Sequence, residues 1–307
     1  YLGSYAITVG DLNGDGFSDF AATGDVNTYN TALYVFLGSA SGPALATGFP
    51  VTNLPPNAAI CAAGDVNGDG LADVAMFWPN NGNRRLYFGN ANGLDMGTFN
   101  SFTAHFPALS LGMVGGPAGD VNGDGYGDVI FGMPNYGSMY PCGSATSAGL
   151  VEVMYGSAAG LNATSNWYGP GCYSVGSGAL LGASVAGAGD VNGAGYDDIV
   201  AGAPGADLYL TGVVGKAYVV YGSATGLPLL NGFANVGSIS SGTTIAGRHL
   251  FASFGGAVCT AGDLNGDGYA DVGVGAPTDD NYGNDAGMAF VFRGSAAGVD
   301  TATANLL

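Results

Sequence analysis

"GDLNGDGFSD", residues 10–19, places three carboxylates, one amide and three glycines within ten residues. It returns as "GDVNGDGLAD" at 64–73, "GDVNGDGYGD" at 119–128, "GDVNGAGYDD" at 189–198 and "GDLNGDGYAD" at 262–271. The first aspartates of these stretches, Asp11, Asp65, Asp120, Asp190 and Asp263, lie 54, 55, 70 and 73 residues apart. A motif returning at such intervals marks a repeat architecture, in which each unit buries its apolar face only against a neighbour.

The flanks repeat as well. Each acidic stretch is followed by a short β-type run: "DFAATG", "DVAMFW", "DVIFGMP", "DIVAGAP" and "DVGVGAP". A second run ends in a turn, as in "ALYVFLGSASG", "RRLYFGNANG", "LVEVMYGSAAG", "KAYVVYGSATG" and "MAFVFRGSAAG". An Ala/Val-rich run precedes the acidic stretch, and a weaker β run follows the turn. Each unit therefore reads as a four-stranded antiparallel meander, with the acidic loop between its first two strands. Radial stacking of such sheets gives a β-propeller; a linear β-solenoid is disfavoured, because its repeats are much shorter. The predicted architecture is all-β, a single propeller domain over 1–307 with units at about 1–49, 50–104, 105–174, 175–244 and 245–307.

Composition agrees. Gly makes up 58 of the 307 residues, and no segment keeps an apolar 3.6-residue period over three turns, so almost no helix is expected. Five basic residues face 23 acidic ones, with Glu152 the only Glu and Lys216 the only Lys. Such a chain repels polyanions, which excludes nucleic acid as a partner. A disordered acidic tail is excluded by the 47% hydrophobic content. No run of 18 apolar residues exists, so membrane insertion is not expected, and the opening of the chain on a repeat at Tyr1 implies that any export signal has been removed or left out.

The acids are explained by position. Asp, Asn and Asp at positions 1, 3 and 5 of each loop present oxygen donors on one side of a tight turn, and Gly at position 6 permits the backbone reversal. Position 7 supplies a carbonyl and position 9 a further Asp. Hard oxygen donors favour Ca²⁺ over Zn²⁺, which prefers His or Cys, and over Mg²⁺, which demands strict octahedral geometry. The expected ligands are Asp11, Asn13, Asp15, Phe17 and Asp19; Asp65, Asn67, Asp69, Leu71 and Asp73; Asp120, Asn122, Asp124, Tyr126 and Asp128; and Asp263, Asn265, Asp267, Tyr269 and Asp271. The fourth loop departs from the pattern: Ala194 stands at position 5, leaving Asp190, Asn192, Tyr196 and Asp198 as a degenerate site. Four Ca²⁺ sites and a weak fifth are expected, structural rather than catalytic.

"FGG" (254–256), "AGDLNGDGYAD" (261–271), "VGVGAP" (272–277) and "AFVFRGS" (289–295) together resemble the FG-GAP repeat of integrin α-subunit propellers and of many bacterial extracellular proteins. The resemblance covers essentially the whole chain. It implies an extracellular or cell-surface β-propeller. One departure stands out: integrin propellers have seven blades, and five units are counted here.

No reaction is legible. His105 and His249 precede the acidic loops of their units by 15 and 14 residues, and so read as equivalent packing or surface positions of a repeat. No nucleophile elbow, Walker loop, H-E-x-x-H or C-x-x-C motif is present, and Glu152 lies alone in a strand pattern. The chain is expected not to be an enzyme.

Two stretches are candidates for recognition. "NWYGPGCYS" at 166–174 carries Trp167, Tyr168 and Tyr173 in the long third unit, where Cys142 and Cys172 bracket a segment and suggest a loop-closing disulfide. "FWPNNGNRR" at 77–85 carries Trp78, Arg84 and Arg85. The aromatics either stack a sugar or cover a blade edge. Cys61 and Cys259, each four residues before an acidic loop, either pair or are small buried residues. "NAT" at 162–164 is a glycosylation sequon at Asn162. The expected role is that of a calcium-stabilised, non-catalytic adhesion and recognition module. Integrin propellers bind proteins and similar propellers include lectins, so the resemblance implies a protein or glycan ligand. The alternative is a structural subunit, since few charges and poorly guarded sheet edges suit association with copies of itself in a surface layer, fibre or appendage.

Overall fold

The computed structural model describes residues 2–27, 30–78, 82–103, 112–137, 147–162, 166–170, 178–206, 215–228, 241–249, 252–302 and 305–306. All regular structure among them is β, with no helix. By contacts the chain divides into two compact units, residues 1–117 with 125–129 and 154–165, and residues 118–124 with 130–153 and 166–307.

Five sheets follow one another along the sequence. Blade 1 contains β1 (Leu2–Gly10), β2 (Asp19–Asn27), β3 (Asn30–Leu37) and β4 (Ala44–Leu45), and β5 (Val51–Leu54) also pairs with β3. Blade 2 contains β6 (Ala59–Gly64), β7 (Asp73–Phe77), β8 (Asn83–Asn90) and β9 (Gly93–Thr103). Blade 3 is β10 (Val114–Gly119), β11 (Asp128–Met133), β12 (Leu150–Met154) and β13 (Asn166–Pro170). Blade 4 is β14 (Ser184–Gly189), β15 (Asp198–Ala203), β16 (Lys216–Val220) and β17 (Gly242–Ala246). Blade 5 is β18 (Ala257–Gly262), β19 (Asp271–Ala276), β20 (Met288–Phe292) and β21 (Asn305–Leu306). These are antiparallel four-stranded blades of the propeller type. Two boundaries differ from those read in the sequence. Because β5 pairs with β3, the chain through Leu54 belongs to the first sheet, and β17 carries the fourth sheet to Ala246.

Burial explains the sequence pattern of each strand. β11 and β15 are buried at every residue, so "DVIFGM" and "DIVAGA" run apolar without alternation, as strands covered on both faces must. β17 is an outer strand whose one buried residue is Ile245, and "GTTIA" is accordingly polar. The acidic loops of blades 1, 2, 4 and 5 are entered through a register shift at a glycine, at Thr8/Gly10, Ala62/Gly64, Gly187/Gly189 and Thr260/Gly262. Gly10 sits at φ +88°, a left-handed conformation that L side chains adopt only under strain.

Within the first compact unit, Val9, Leu12, Leu33 and Val35 of blade 1 pack with Ile60, Val74, Met76 and Tyr87 of blade 2. Within the second, Val200, Ala217 and Val219 of blade 4 face Val272, Val274, Phe290 and Phe292 of blade 5. Phe254 joins this core edge-on, 5.5 Å from Phe290 and 6.1 Å from Phe292 between ring centroids. The "FG" of the repeat is therefore an aromatic wedge with a glycine behind it.

Cys61 and Cys259 are both free, the first buried and the second exposed. The alternative in which they pair is thus corrected: Cys61 lies in β6 of blade 2 and Cys259 in β18 of blade 5, equivalent positions of two different sheets. Burial pushes the Cys61 thiol up to about 12, which makes it inert. Cys142, Cys172, Tyr173 and His105 lie outside the described residues.

Candidate metal centre

Each acidic loop joins the first two strands of its blade, and its backbone is organised by its own acids. In the first loop, Asp11 Oδ1 accepts the N–H groups of Gly14 at 2.7 Å and Asp15 at 3.2 Å, and its Oδ2 accepts that of Gly16 at 2.8 Å. Asn13 Oδ1 accepts the Asp15 N–H at 3.1 Å, and Asp15 Oδ1 accepts the Phe17 N–H at 2.9 Å. The same bonds recur from Asp65, Asn67 and Asp69, and from Asp263, Asn265 and Asp267. In the third loop Asp120 accepts from Gly123 and Asp124, and Asn122 from Asp124.

Position 9 has a role that the sequence reading did not foresee. Asp19 is 1% exposed; its Oδ2 accepts the Leu12 N–H at 2.8 Å, and its Oδ1 accepts the N–H of Gly38 after β3 at 2.7 Å. Asp73 holds Val66 and Gly89, Asp198 holds Val191 and Gly222, and Asp271 holds Leu264 and Gly294 in the same way. Asp128 holds Gly156 at 2.8 Å. Position 9 thus latches the acidic loop to the turn after the third strand. The partner glycine was visible in the repeated "GSAxG" turns, whose serines close back on the second glycine, as Ser157 Oγ does on the Gly160 carbonyl at 2.7 Å.

The fourth loop separates scaffold from spare charge. With Ala194 at position 5, Asp190 still accepts the N–H groups of Ala194 at 3.0 Å and Gly195 at 2.7 Å, and Asn192 still accepts that of Ala194 at 2.8 Å. The loop keeps its shape without a position-5 carboxylate. Asp15, Asp69, Asp124 and Asp267 are therefore not required for folding of the loop, and all four are exposed.

Proton affinities follow the same division. At Asp11 desolvation is the largest single influence and raises the pKa, but the backbone N–H donors, led by Gly16 and Gly14, together outweigh it, so its pKa lies below the usual carboxylate value. Asp263 is lowered too, chiefly by the Gly268 N–H. Burial pushes Asp73 and Asp198 up to about 7, against the opposing pull of their two backbone donors. Asp19 is raised for the same reason.

Among the described residues, no three Asp, Glu, His or Cys side chains converge as a closed metal cluster. The loop instead offers an open set of oxygens in which positions 1, 3 and 5 line the solvent side. Each carboxylate oxygen that accepts one N–H retains a second lone pair. The donors are all hard oxygens with no nitrogen or sulfur competitor, which fits Ca²⁺ and offers nothing to Zn²⁺.

The other sequence candidates are distributed differently. "NWYGP" is the fourth strand of blade 3, not a recognition loop, and Trp167 is 5% exposed with its indole N–H donated to the Pro228 carbonyl at 2.9 Å. Trp78, after β7, is 4% exposed and donates its indole N–H to the Pro55 carbonyl at 3.2 Å. Both rings are therefore removed as sugar-stacking platforms, because strand packing has claimed their faces; Tyr168 remains exposed. Arg84 and Arg85 lie in β8, Arg84 buried and Arg85 between the rings of Trp78, at 5.1 Å, and Phe99, at 4.5 Å. His249 Nδ1 lies 2.7 Å from Asp279 Oδ2, a buried partner with no counterpart in the repeat pattern that would have revealed it.

Comparison with known families and proteins adds the following. Residues 11–76 match the model of an FG-GAP-like repeat, and residues 254–292 that of an FG-GAP repeat. The chain is 30% identical to integrin alpha-V of Gallus gallus over 215 residues, covering 70% of this chain and 19% of the relative. It is 38% identical to integrin alpha-6 of Homo sapiens over 120 residues, covering 38% of this chain and 9% of the relative. It is also 37% identical over 89 residues to phosphatidylinositol-glycan-specific phospholipase D of Mus musculus, covering 29% of this chain and 10% of that protein. The chain spans less than a fifth of the length of each of these relatives.

Proposed function

From the premise that this chain is an FG-GAP repeat, integrin-α-like domain, we propose that it is an extracellular, calcium-stabilised, non-catalytic module of adhesion or recognition whose ligand is a protein. The observation that carries the reading is a division of labour between the ends of each blade. In a four-stranded meander the first and third connections share one end and the second connection lies at the other. The acidic loop and the serine turn that its position-9 Asp latches therefore make a constant end. The second connections vary from residues 28–29 in blade 1 to 134–149 in blade 3 and 277–287 in blade 5. Rigid scaffolds that present variable loops are the usual setting of recognition. Tyr282, in the connection of blade 5, is 71% exposed, the most accessible large hydrophobic side chain among the described residues.

Ca²⁺ at the constant end would be held by the oxygens of positions 1, 3, 5, 7 and 9 of the four intact loops, neutralising the carboxylates that crowd each turn. Alone, the loop residues fix the backbone and aim the free oxygens outward. Extracellular sites of this kind bind at about 10⁻⁴–10⁻³ M. Ala194→Asp is expected to raise the calcium stoichiometry by one, read by isothermal titration, and to add about 1–3 kcal/mol of stability at about 10 mM calcium. An unchanged stoichiometry would remove position 5 from the ligand set.

The test of function is a panel of extracellular-matrix and cell-surface proteins, with a glycan array beside it, probed with the folded chain in calcium and in chelator. The expected result is a saturable protein ligand whose affinity falls at least tenfold on Tyr282→Ala. A glycan hit alone, or no ligand for a demonstrably folded sample, overturns the protein-ligand reading.

A further inference from the structure

Consecutive acidic loops are joined by a repeated set of contacts, well seen in the joint between the loops of blades 1 and 2. The Ala72 N–H, at position 8 of the second loop, is donated to the Asp11 carbonyl, at position 1 of the first, at 2.8 Å. The Leu71 side chain, at position 7, lies over Gly14, where a Cβ would meet it at 3.0 Å. The same contacts join the loops of blades 4 and 5: Ala270 donates to the Asp190 carbonyl at 3.0 Å, and a Cβ on Gly193 would meet Tyr269 at 2.6 Å. Gly127 donates to the Asp65 carbonyl at 2.7 Å and Asp197 to the Asp120 carbonyl at 3.1 Å in like manner. The position-2 carbonyl takes a further main-chain bond from the serine of the next blade's turn, Val66 from Ser157 at 3.1 Å and Val191 from Ser295 at 3.0 Å.

The peptide group between Leu71 and Ala72 therefore faces two loops. Its N–H is bonded to the first loop. Its C=O, which in a trans peptide points the opposite way, is the position-7 carbonyl of the second loop's expected calcium set. Asp11 is divided likewise: its carboxylate accepts the Gly14 and Gly16 N–H groups within the first loop, while its carbonyl receives the Ala72 N–H. Leu71 also presses on the first loop at Gly14, between Asn13 and Asp15, the position-3 and position-5 donors. One rigid peptide plane thus holds an edge of each loop. The Tyr269–Ala270 peptide makes the same connection although Ala194 removes a donor from the loop before it, so the connection belongs to the scaffold.

We propose that calcium bound at one acidic loop raises the calcium affinity of the loop joined to it through this shared peptide group. The coupling rests on the calcium reading of the loops given above. A cation on the Leu71 carbonyl fixes the peptide plane and polarises its N–H, which strengthens the bond to the Asp11 carbonyl. The first loop is then held in shape before its own cation arrives, and loses less conformational freedom on binding it. By linkage the first site raises the affinity of the second by the same factor. Repulsion between the two bound cations acts the other way and would flatten the binding curve. The pair in blades 1 and 2 has all its donors, whereas in the pair of blades 4 and 5 the degenerate loop deprives the Asp263 loop of this coupled partner.

The full chain would be titrated with calcium chloride and followed by amide NMR at Gly16 and Gly70, whose N–H groups are donated to the position-1 carboxylates of the first two loops. Both curves should have a Hill slope of about 1.4 or more, the value for two equal sites coupled about fivefold. Asp69→Ala removes a donor from the second site and keeps the loop, as Ala194 does in the fourth. This variant should melt with the wild type in chelator, and its Gly16 curve should fall to a slope of about one. Loss of a negative charge alone would move the midpoint and leave the slope unchanged. In Asp15→Ala, where the first site is crippled instead, filling the second loop should still slow hydrogen exchange of the Ala72 N–H about fivefold. Ala194→Asp should steepen the curve of the Asp263 loop, read at Gly268. Wild-type slopes of one or less, a Gly16 slope that Asp69→Ala leaves unchanged, or an Ala72 N–H indifferent to calcium overturns the coupling while the calcium reading stands. Loops that bind no calcium overturn both.

Discussion

Asp73→Ala is expected to lower the free energy of unfolding by about 3–5 kcal/mol, seen as a fall in the urea midpoint at unchanged slope. The carboxylate is 0% exposed and accepts two N–H groups, Val66 at 2.9 Å and Gly89 at 2.9 Å. Alanine removes both acceptors from donors that cannot reach water, and each orphaned buried donor costs about 1–3 kcal/mol. It also releases the turn after β8 from the loop before β7. The contrast is Asp69→Ala in the same loop, measured in chelator. Asp69 is exposed, and Ala194 shows that the loop holds without its counterpart, so the change should stay within about 0.5 kcal/mol. Equal losses from the two variants would sink the latch.

The second expectation concerns acidity. In chelator the protein should lose stability as pH rises from about 4 through about 7. Burial raises Asp73 and Asp198 to about 7 when folded, above the ordinary 3.8 of the unfolded chain. The unfolded chain therefore releases these protons first. Stability from both groups is fully present below about pH 4 and lost as pH climbs through the folded value, on the order of 3 kcal/mol for each carboxylate. Asp11 and Asp263, held low by backbone donors, act in the opposite sense, and their contribution fades as pH falls through their folded values. The metal-free optimum should thus lie on the acid side of neutrality. Urea titrations at pH 5 and pH 8 would measure the slope, and Asp73→Asn, which cannot ionise, should remove about half of it. A flat profile would mean that the paired N–H donors outweigh burial.

The blades were legible because their information is local and redundant. Five copies of one loop, each flanked by β runs and a "GSAxG" type of turn, fix strand order without any long-range inference. The tryptophans misled because aromatic residues next to Gly and Pro look like loop surface. Trp167 belongs to an outer strand whose pairing is set by blade 3, and Trp78 is held by a carbonyl 23 residues earlier in sequence. The latch was hidden differently: Asp at position 9 is chemically a ligand, and only its burial shows that two strand-end N–H groups reach it first. The His249–Asp279 pair falls outside the repeat altogether, so periodicity carried no trace of it.

The joints described above are made largely of main-chain carbonyls, main-chain N–H groups and glycines, with few side chains that need to match each other. Drift in one unit's sequence therefore leaves its neighbours' fit intact. A duplicated stretch of about one unit in length would arrive already carrying both of its mating faces. In evolutionary terms the chain is modular at the level of the single blade, which gives recombination a way to lengthen it or reshuffle its variable connections without inventing a new core.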